Sequence, residues 1–106
     1  MCRKIRFKVA LAAVVMFASA SGFAQSSGEA TYKAKCQMCH GATGAADTGA
    51  GKATKTLPVS DPVVKGMSAD DMVAVIKNGK MKMQPFKDKL SDQEIKDVAA
   101  YFRTLK

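Results

Sequence analysis

The chain has 106 residues, a formal net charge of +8 and no tryptophan. This length allows one small domain and no more. Because aromatic residues make up only 7% of so short a chain, its own side chains provide a small core, and we expect a large cofactor to complete it.

The first 24 residues are predicted to be a secretory leader, and residues 25–106 the mature domain. A basic segment, Arg3 to Lys8, precedes an apolar run from Val9 to Ala20, and small residues follow it. We place the cut after Ala24, with a cut after Ala20 as the alternative. Cleavage removes four basic residues and no acidic one, so the net charge falls from +8 to +4.

The apolar run of the leader is shorter than the roughly 20 residues that span a bilayer. We therefore expect no membrane span in the mature chain. An uncleaved leader that tethers the protein to a membrane is the alternative. Cleavage also removes Cys2, which leaves the two cysteines at positions 36 and 39.

The mature chain predicts helices and no strand. A short helix is predicted from Gly28 to Cys39, followed by a glycine-rich surface loop from Gly41 to Thr56. Capping signals at Ser68 and Ser91 open two amphipathic helices, which we place at residues 69–78 and 92–105. The fold class is therefore all-α.

The motif Cys36-Gln37-Met38-Cys39-His40 is the strongest chemical signal in the chain. Two residues between the cysteines place both thiols on one side of a helical turn, where they can form thioethers with one haem. The histidine that follows is carried to the iron. A zinc site would need four ligands, and a thioredoxin-like pair would need a βαβ pattern, so both fit less well.

His40 is the only histidine, so a second iron ligand must be another residue type. Methionine is the usual partner of histidine in cytochromes c. Met38 lies inside the attachment motif, and Met67 and Met72 are expected to fill the core. Met81 and Met83 lie in the loop after Gly79 and are the two candidates.

Three segments resemble the class I c-type cytochromes, in particular the short bacterial monohaem members. Gly28, Tyr32 and Cys36 to Gly41 are similar to the N-terminal signature of the family. Ser68 to Gly79 resembles its middle helix, and Lys82 to Phe102 resembles its methionine loop and final helix. The resemblance covers essentially the whole mature chain.

The resemblance implies a small cytochrome c fold, with three to four helices wrapped around one covalently attached haem c. The first and last helices should cross where Gly28 and Tyr32 meet Tyr101 and Phe102. The family pattern favours Met83 as the distal iron ligand, with Met81 as second choice.

The resemblance also implies a proline carbonyl that accepts a hydrogen bond from His40 Nδ1, with Pro58 or Pro62 as candidates. The cavity around the haem should be closed by apolar side chains, namely Met72, Ile76, Leu57, Phe86 and Val98.

With both axial positions filled, the expected function is one-electron transfer in the periplasm and not enzymatic catalysis. The alternatives are a five-coordinate haem ligand sensor or small peroxidase, and the haem subunit of a larger oxidoreductase.

The expected partners are redox proteins with an acidic docking face, because lysines surround the proposed methionine loop: Lys77, Lys80, Lys82, Lys87 and Lys89. We expect no nucleic acid partner, since no base-stacking or groove-reading motif accompanies the charge. The expected state is a monomer.

Overall fold

The computed structural model describes residues 21–106, and most of the predicted leader lies outside this range. Within it the chain forms six helical segments: α1 (Ser21–Lys35), α2 (Gln37–His40), α3 (Gly49–Ala53), α4 (Pro62–Lys65), α5 (Ala69–Asn78) and α6 (Asp92–Thr104). The described residues contain no strand, only an isolated bridge between Lys80 and Met83. The all-α class is confirmed. There are more segments than the three to four predicted because α2, α3 and α4 have only four or five residues each.

Helices α1 and α6 cross in close contact, as predicted. Gly28 lies at the crossing, where an added Cβ would approach the carbonyl oxygen of Asp97 to 2.2 Å and Tyr101 Cβ to 2.9 Å. One turn further on, the Tyr32 ring is buried against Tyr101 and Phe102, with ring centroids 5.4 and 6.0 Å apart. A residue without a side chain at position 28 thus lets the two backbones meet.

The first predicted helix is in fact two helices. Helix α1 begins at Ser21 and ends at Lys35, so the proposed cut after Ala24 would fall within it. Cys36 interrupts the helix with φ −115° and ψ −33°, and α2 then carries the rest of the motif. This break turns the chain immediately before the second cysteine and the histidine.

The two amphipathic helices follow their sequence signals closely. The Ser68 hydroxyl accepts a hydrogen bond from the Asp71 amide at the start of α5. Ser91 and Glu94 form a complete capping box at the start of α6, which ends at Thr104, one residue before the predicted end. Met72 and Ile76 of α5 pack with Ile95, Val98 and Ala99 of α6 in the core.

The predicted surface loop between Gly41 and Thr56 is wrong in one respect, because it contains helix α3. Thr48 caps this helix by accepting from the Gly51 amide at 2.9 Å. Gly51 is buried so closely against the attachment motif that an added Cβ would lie 2.3 Å from the Cys39 carbonyl oxygen. The segment is therefore packed against the motif instead of lying free on the surface.

Helix α4 was not predicted. The Asp61 side chain accepts a hydrogen bond from the Val63 amide at 2.9 Å. Pro62 occupies the first helical position, where a backbone amide would have no partner within the helix, so its missing amide proton costs nothing. Among residues 21–106, no helix has the length and apolar character needed to cross a membrane.

Candidate haem-binding site

One large cavity brings together all four side chains that the sequence singles out. It has a volume of about 760 Å³, within the range of cofactor sites, and Cys36, Cys39, His40 and Met83 all line it. Cys36, Cys39 and His40 come from the break after α1 and from α2, while Met83 comes from the loop after α5. We call Cys36 to Gly41 the attachment turn and residues 79–86 the methionine loop.

The rest of the cavity is lined mainly by apolar side chains from four elements and the segments between them. The five side chains predicted to enclose the cofactor all lie on it, although Leu57 is 45% exposed and so stands at the opening. Further apolar residues complete the lining: Val63, Val64, Met67, Val75 and Phe102. Such a surface suits a large, flat, mostly apolar group.

The two cysteines of the attachment turn are unbridged and half-buried. Burial, with a smaller contribution from the neighbouring Cys39, raises the pKa of Cys36 to about 11. A redox-active or metal-binding thiol needs a lowered pKa instead. At Cys36 the site therefore favours neutral sulfur over thiolate.

The His40 imidazole is held within the protein in its neutral form. Burial lowers its pKa, and the edge of the Phe102 ring packs against it with the ring centroids 5.2 Å apart. Neutral imidazole is the form that ligates metals. Its Nδ1 is buried and has no hydrogen-bond partner. The expected bond from Nδ1 to the carbonyl of Pro58 or Pro62 is thus absent from this structure.

The methionine loop presents its two methionines in different ways. Met83 is half-buried and packs against the core cluster, whereas the side chain of Met81 is 96% exposed. Lys80 and Met83 exchange two backbone hydrogen bonds of 3.1 and 2.9 Å, which forces Met81 into a left-handed conformation with φ 55°. Both methionines line the cavity, but only Met83 also packs against the core.

The other methionines occupy the places expected of them. Met38 is 75% exposed and does not line the cavity. Met72 is buried in the core, and Met67 packs against the core cluster. Both also contribute to the cavity wall.

The lysines around the cavity differ in part from the predicted group. Lys80 and Lys82 line the cavity, and so do Lys35 and Lys55, which were not among the predicted lysines. Lys77 instead pairs with Asp92 at 3.2 Å, and the Lys89 ammonium bonds to Gln84 while lying 5.7 Å from the Phe86 ring centroid.

Sequence reasoning also missed the polar part of the cavity wall. The hydroxyls of Thr54 and Thr56 form a hydrogen bond of 2.8 Å with each other. Both residues line the cavity, as does Lys55, which lies between them in the sequence. They belong to the glycine-rich segment. The length of this segment could have indicated that it takes part in the site, since long segments without bulky residues in small domains are often functional.

Comparison with known proteins agrees with this geometry. The family described as "Cytochrome C oxidase, cbb3-type, subunit III" matches residues 23–102. The chain is 39% identical to a cytochrome c6 of Nostoc sp. over 75 residues, 70% of this chain and 64% of that protein. It is 36% identical to a cytochrome c6 of Leptolyngbya boryana, again over 75 residues, which are 84% of that protein. The chain belongs to the class I c-type cytochromes.

A solved structure gives the same answer for the fold of this cytochrome. The KustC0563 c-type cytochrome superimposes with a TM-score of 0.68 at 28% identity, over 74% of this chain and 96% of that one. As a member of this family, the chain carries covalently bound haem c. Its residues fit that group, because two unbridged cysteines, a neutral imidazole and an apolar wall face one cavity.

Proposed function

We propose that this cytochrome is a monohaem one-electron carrier in which Cys36 and Cys39 form the thioethers and His40 and Met83 are the axial iron ligands. The observation that carries the proposal is the convergence of these four side chains on one apolar cavity. When bound, the haem supplies the one-electron ferric–ferrous couple.

The chain's own residues determine what this couple can be used for. With His40 and Met83 both holding the iron, a bound haem would keep no coordination position open for oxygen, peroxide or another substrate. This favours electron transfer over catalysis. The apolar wall and the neutral methionine sulfur both favour the ferrous state, and we expect a positive reduction potential.

The assignment of Met83 is tested by replacing each methionine of the loop separately. In Met83→Leu the iron loses its distal ligand, so we expect a high-spin ferric spectrum, carbon monoxide binding in the ferrous state and a lower potential. Met81→Leu is the matched control and should leave all three unchanged, because the Met81 side chain is 96% exposed. The reverse pattern would assign Met81, and no change in either variant would refute ligation by a methionine of this loop.

We propose redox proteins with an acidic docking face as the electron donor and acceptor. Lys35, Lys55, Lys80 and Lys82 place positive charge around the cavity through which the haem edge would be reached. Electrostatic steering of this kind raises association rates and weakens with salt. We propose further that the carrier acts as a monomer and binds no nucleic acid.

The docking proposal predicts a salt-dependent electron-transfer rate. Replacing Lys80 and Lys82 with glutamine should slow second-order oxidation by an anionic reagent such as ferricyanide and flatten its dependence on ionic strength. Replacing Lys65 and Lys96, which do not line the cavity, is the control for overall charge. Equal effects of the two pairs would show that only net charge matters.

We propose that the protein works in the periplasm after export through the leader at residues 1–24. The support is the order of basic, apolar and small residues in the leader, together with the need to attach haem outside the cytoplasm. The N-terminal sequence of the purified holoprotein tests this. A start at Gln25 or Ser21 matches the two cuts considered, and an intact leader would favour a membrane tether.

A second candidate, the haem subunit of a larger oxidoreductase, is favoured by the description of the matching family as an oxidase subunit. It differs from the first in its state of association and not in its site. Size-exclusion chromatography of the native protein separates the two. Elution at the mass of a single chain supports the diffusing carrier, and co-elution with a larger haem protein supports the subunit.

A further inference from the structure

The carbonyl groups of the attachment turn all have hydrogen-bond partners, and two of these partners are side-chain hydroxyls. A helix leaves its last four carbonyls without partners, and α2 is only four residues long. The Gln37 carbonyl accepts from the Gly41 amide at 2.8 Å, and the His40 carbonyl accepts from the Ala46 amide at 2.9 Å. The Met38 and Cys39 carbonyls have no backbone partner, and the Gly41 carbonyl accepts a longer bond of 3.3 Å from the Gly44 amide.

The Thr48 hydroxyl bonds to the carbonyls in the middle of the attachment turn. It donates to the Met38 carbonyl at 2.6 Å, and the Cys39 carbonyl lies 3.3 Å from the same oxygen. The same oxygen accepts from the Gly51 amide, so Thr48 caps α3 and binds the attachment turn at once. A hydroxyl can do both because it has one proton and two lone pairs.

The Tyr32 hydroxyl bonds to the last carbonyl of the attachment turn. It donates to the Gly41 carbonyl at 2.5 Å. This buried bond joins the residues on either side of the motif from Cys36 to His40. Its ring is 1% exposed and fixed between α1 and α6, so the hydroxyl has little freedom to move. Burial raises the pKa of Tyr32 to about 12, which keeps the phenol protonated and able to donate.

These two bonds come from segments on either side of the turn in sequence. Thr48 lies in the glycine-rich segment, ten residues after Met38, whereas Tyr32 lies in α1, nine residues before Gly41. His40 lies between the two carbonyls that they hold. A peptide held on both sides of a residue restricts the backbone from which that residue's side chain projects.

We propose that Thr48 and Tyr32 are positioning residues of the haem site, whose hydroxyls fix the orientation of the His40 imidazole through the backbone of the attachment turn. The inference rests on the proposed role of His40 as an iron ligand. It adds two residues, neither of them a ligand, whose effect should be visible at the iron.

The test is the proton NMR spectrum of the ferric holoprotein, in which the paramagnetically shifted haem methyl resonances depend on the orientation of the axial ligands. We expect these resonances to shift in Thr48→Val and in Tyr32→Phe, each of which removes a hydroxyl and keeps the shape of the side chain. Thr48→Ser, which restores the hydroxyl, should bring the methyl resonances back toward their parental positions.

Two control variants separate positioning from general stability. Thr104→Val removes an exposed hydroxyl at the end of α6, which also donates at 2.6 Å to a helix carbonyl but has no bond to the attachment turn. Ser68→Ala removes an N-cap like that of Thr48, but from α5. Both should lower the denaturation midpoint and leave the methyl resonances in place.

Each outcome decides the matter. Parental methyl resonances in Thr48→Val and Tyr32→Phe, with the parent protein low-spin, would overturn this inference alone. Should Thr48→Val yield no holoprotein, Tyr32→Phe decides by the same criterion. A parent protein without a histidine-ligated iron would refute the proposed function, and this inference with it.

Discussion

The two sides of the cavity are built differently. The attachment turn is held from outside by α1, by Ala46 and by the Thr48 cap of α3, through hydrogen bonds from three separate parts of the chain. The methionine loop is held mainly by itself, through the two bonds between Lys80 and Met83. Its anchors to the rest of the fold lie at its ends, where the Gly79 amide bonds to Val75 and the Phe86 amide to Ile76.

This difference indicates a division of roles. The histidine side is part of the framework of the fold, so its ligand should leave the iron only when the fold is lost. The methionine side is a short loop attached to the end of α5, so its ligand should be the one that a small perturbation displaces. Damage to the turn should therefore appear as global instability, and damage to the loop as access of external ligands to the iron.

The largest expected effect comes from Gly51→Ala, which attacks the support of the turn. Its new Cβ would lie 2.3 Å from the Cys39 carbonyl oxygen and 2.9 Å from that of Ala46, so backbone must move. We expect a loss of about 3 kcal/mol in the free energy of unfolding, measured by chemical denaturation of the holoprotein.

Gly49→Ala is the matched control for that variant. It lies two residues earlier in α3, and an added Cβ there meets no atom within 4 Å. Stability should rise by about 0.5 kcal/mol, because alanine restricts the unfolded chain. Similar losses in the two variants would show that α3 does not support the turn.

An intermediate effect is expected from Gly79→Ala in the methionine loop. Gly79 has φ 75°, which costs an alanine about 1–2 kcal/mol, and an added Cβ would lie 2.7 Å from the Met83 carbonyl oxygen. The stability loss should be smaller than in Gly51→Ala. Ferric imidazole binding, measured by titration, should nevertheless become tighter as the loop moves. A loss of stability with unchanged imidazole affinity would contradict the division of roles.

The smallest effect is expected from Met81→Asn. Met81 has φ 55° and an almost fully exposed side chain, so asparagine relieves backbone strain and removes little packing. We expect a gain of about 0.5 kcal/mol in thermal or chemical denaturation, with an unchanged ferric spectrum. Loss of the low-spin spectrum in this variant would assign Met81, and not Met83, to the iron.

The sequence was sufficient for the elements whose signals are local. The boundaries of α5 followed from the Ser68 cap and Asn78-Gly79, and those of α6 from the Ser91 and Glu94 capping box with regular apolar spacing. The motif from Cys36 to His40 predicted the haem for the same reason, since its spacing carries the chemistry by itself.

The elements that the sequence did not reveal depend on contacts between distant residues. Helix α3 has the composition of a loop, and it forms where Thr48 and Gly51 meet the carbonyls of the attachment turn. Helix α4 is the exception, because its Asp61 cap and Pro62 are local signals from which it could have been predicted. The resemblance favoured Met83 over Met81, but the difference in exposure between these two methionines is visible only in the structure.

The most direct test of the whole account is the absorption spectrum of the purified holoprotein, oxidised and reduced, with and without carbon monoxide. Ligation by His40 and Met83 predicts sharp low-spin bands on reduction, a weak methionine-to-iron charge-transfer band in the oxidised protein and no change with carbon monoxide. A high-spin spectrum that shifts on adding carbon monoxide would contradict the account. The site would then be open, as in a ligand sensor or a small peroxidase.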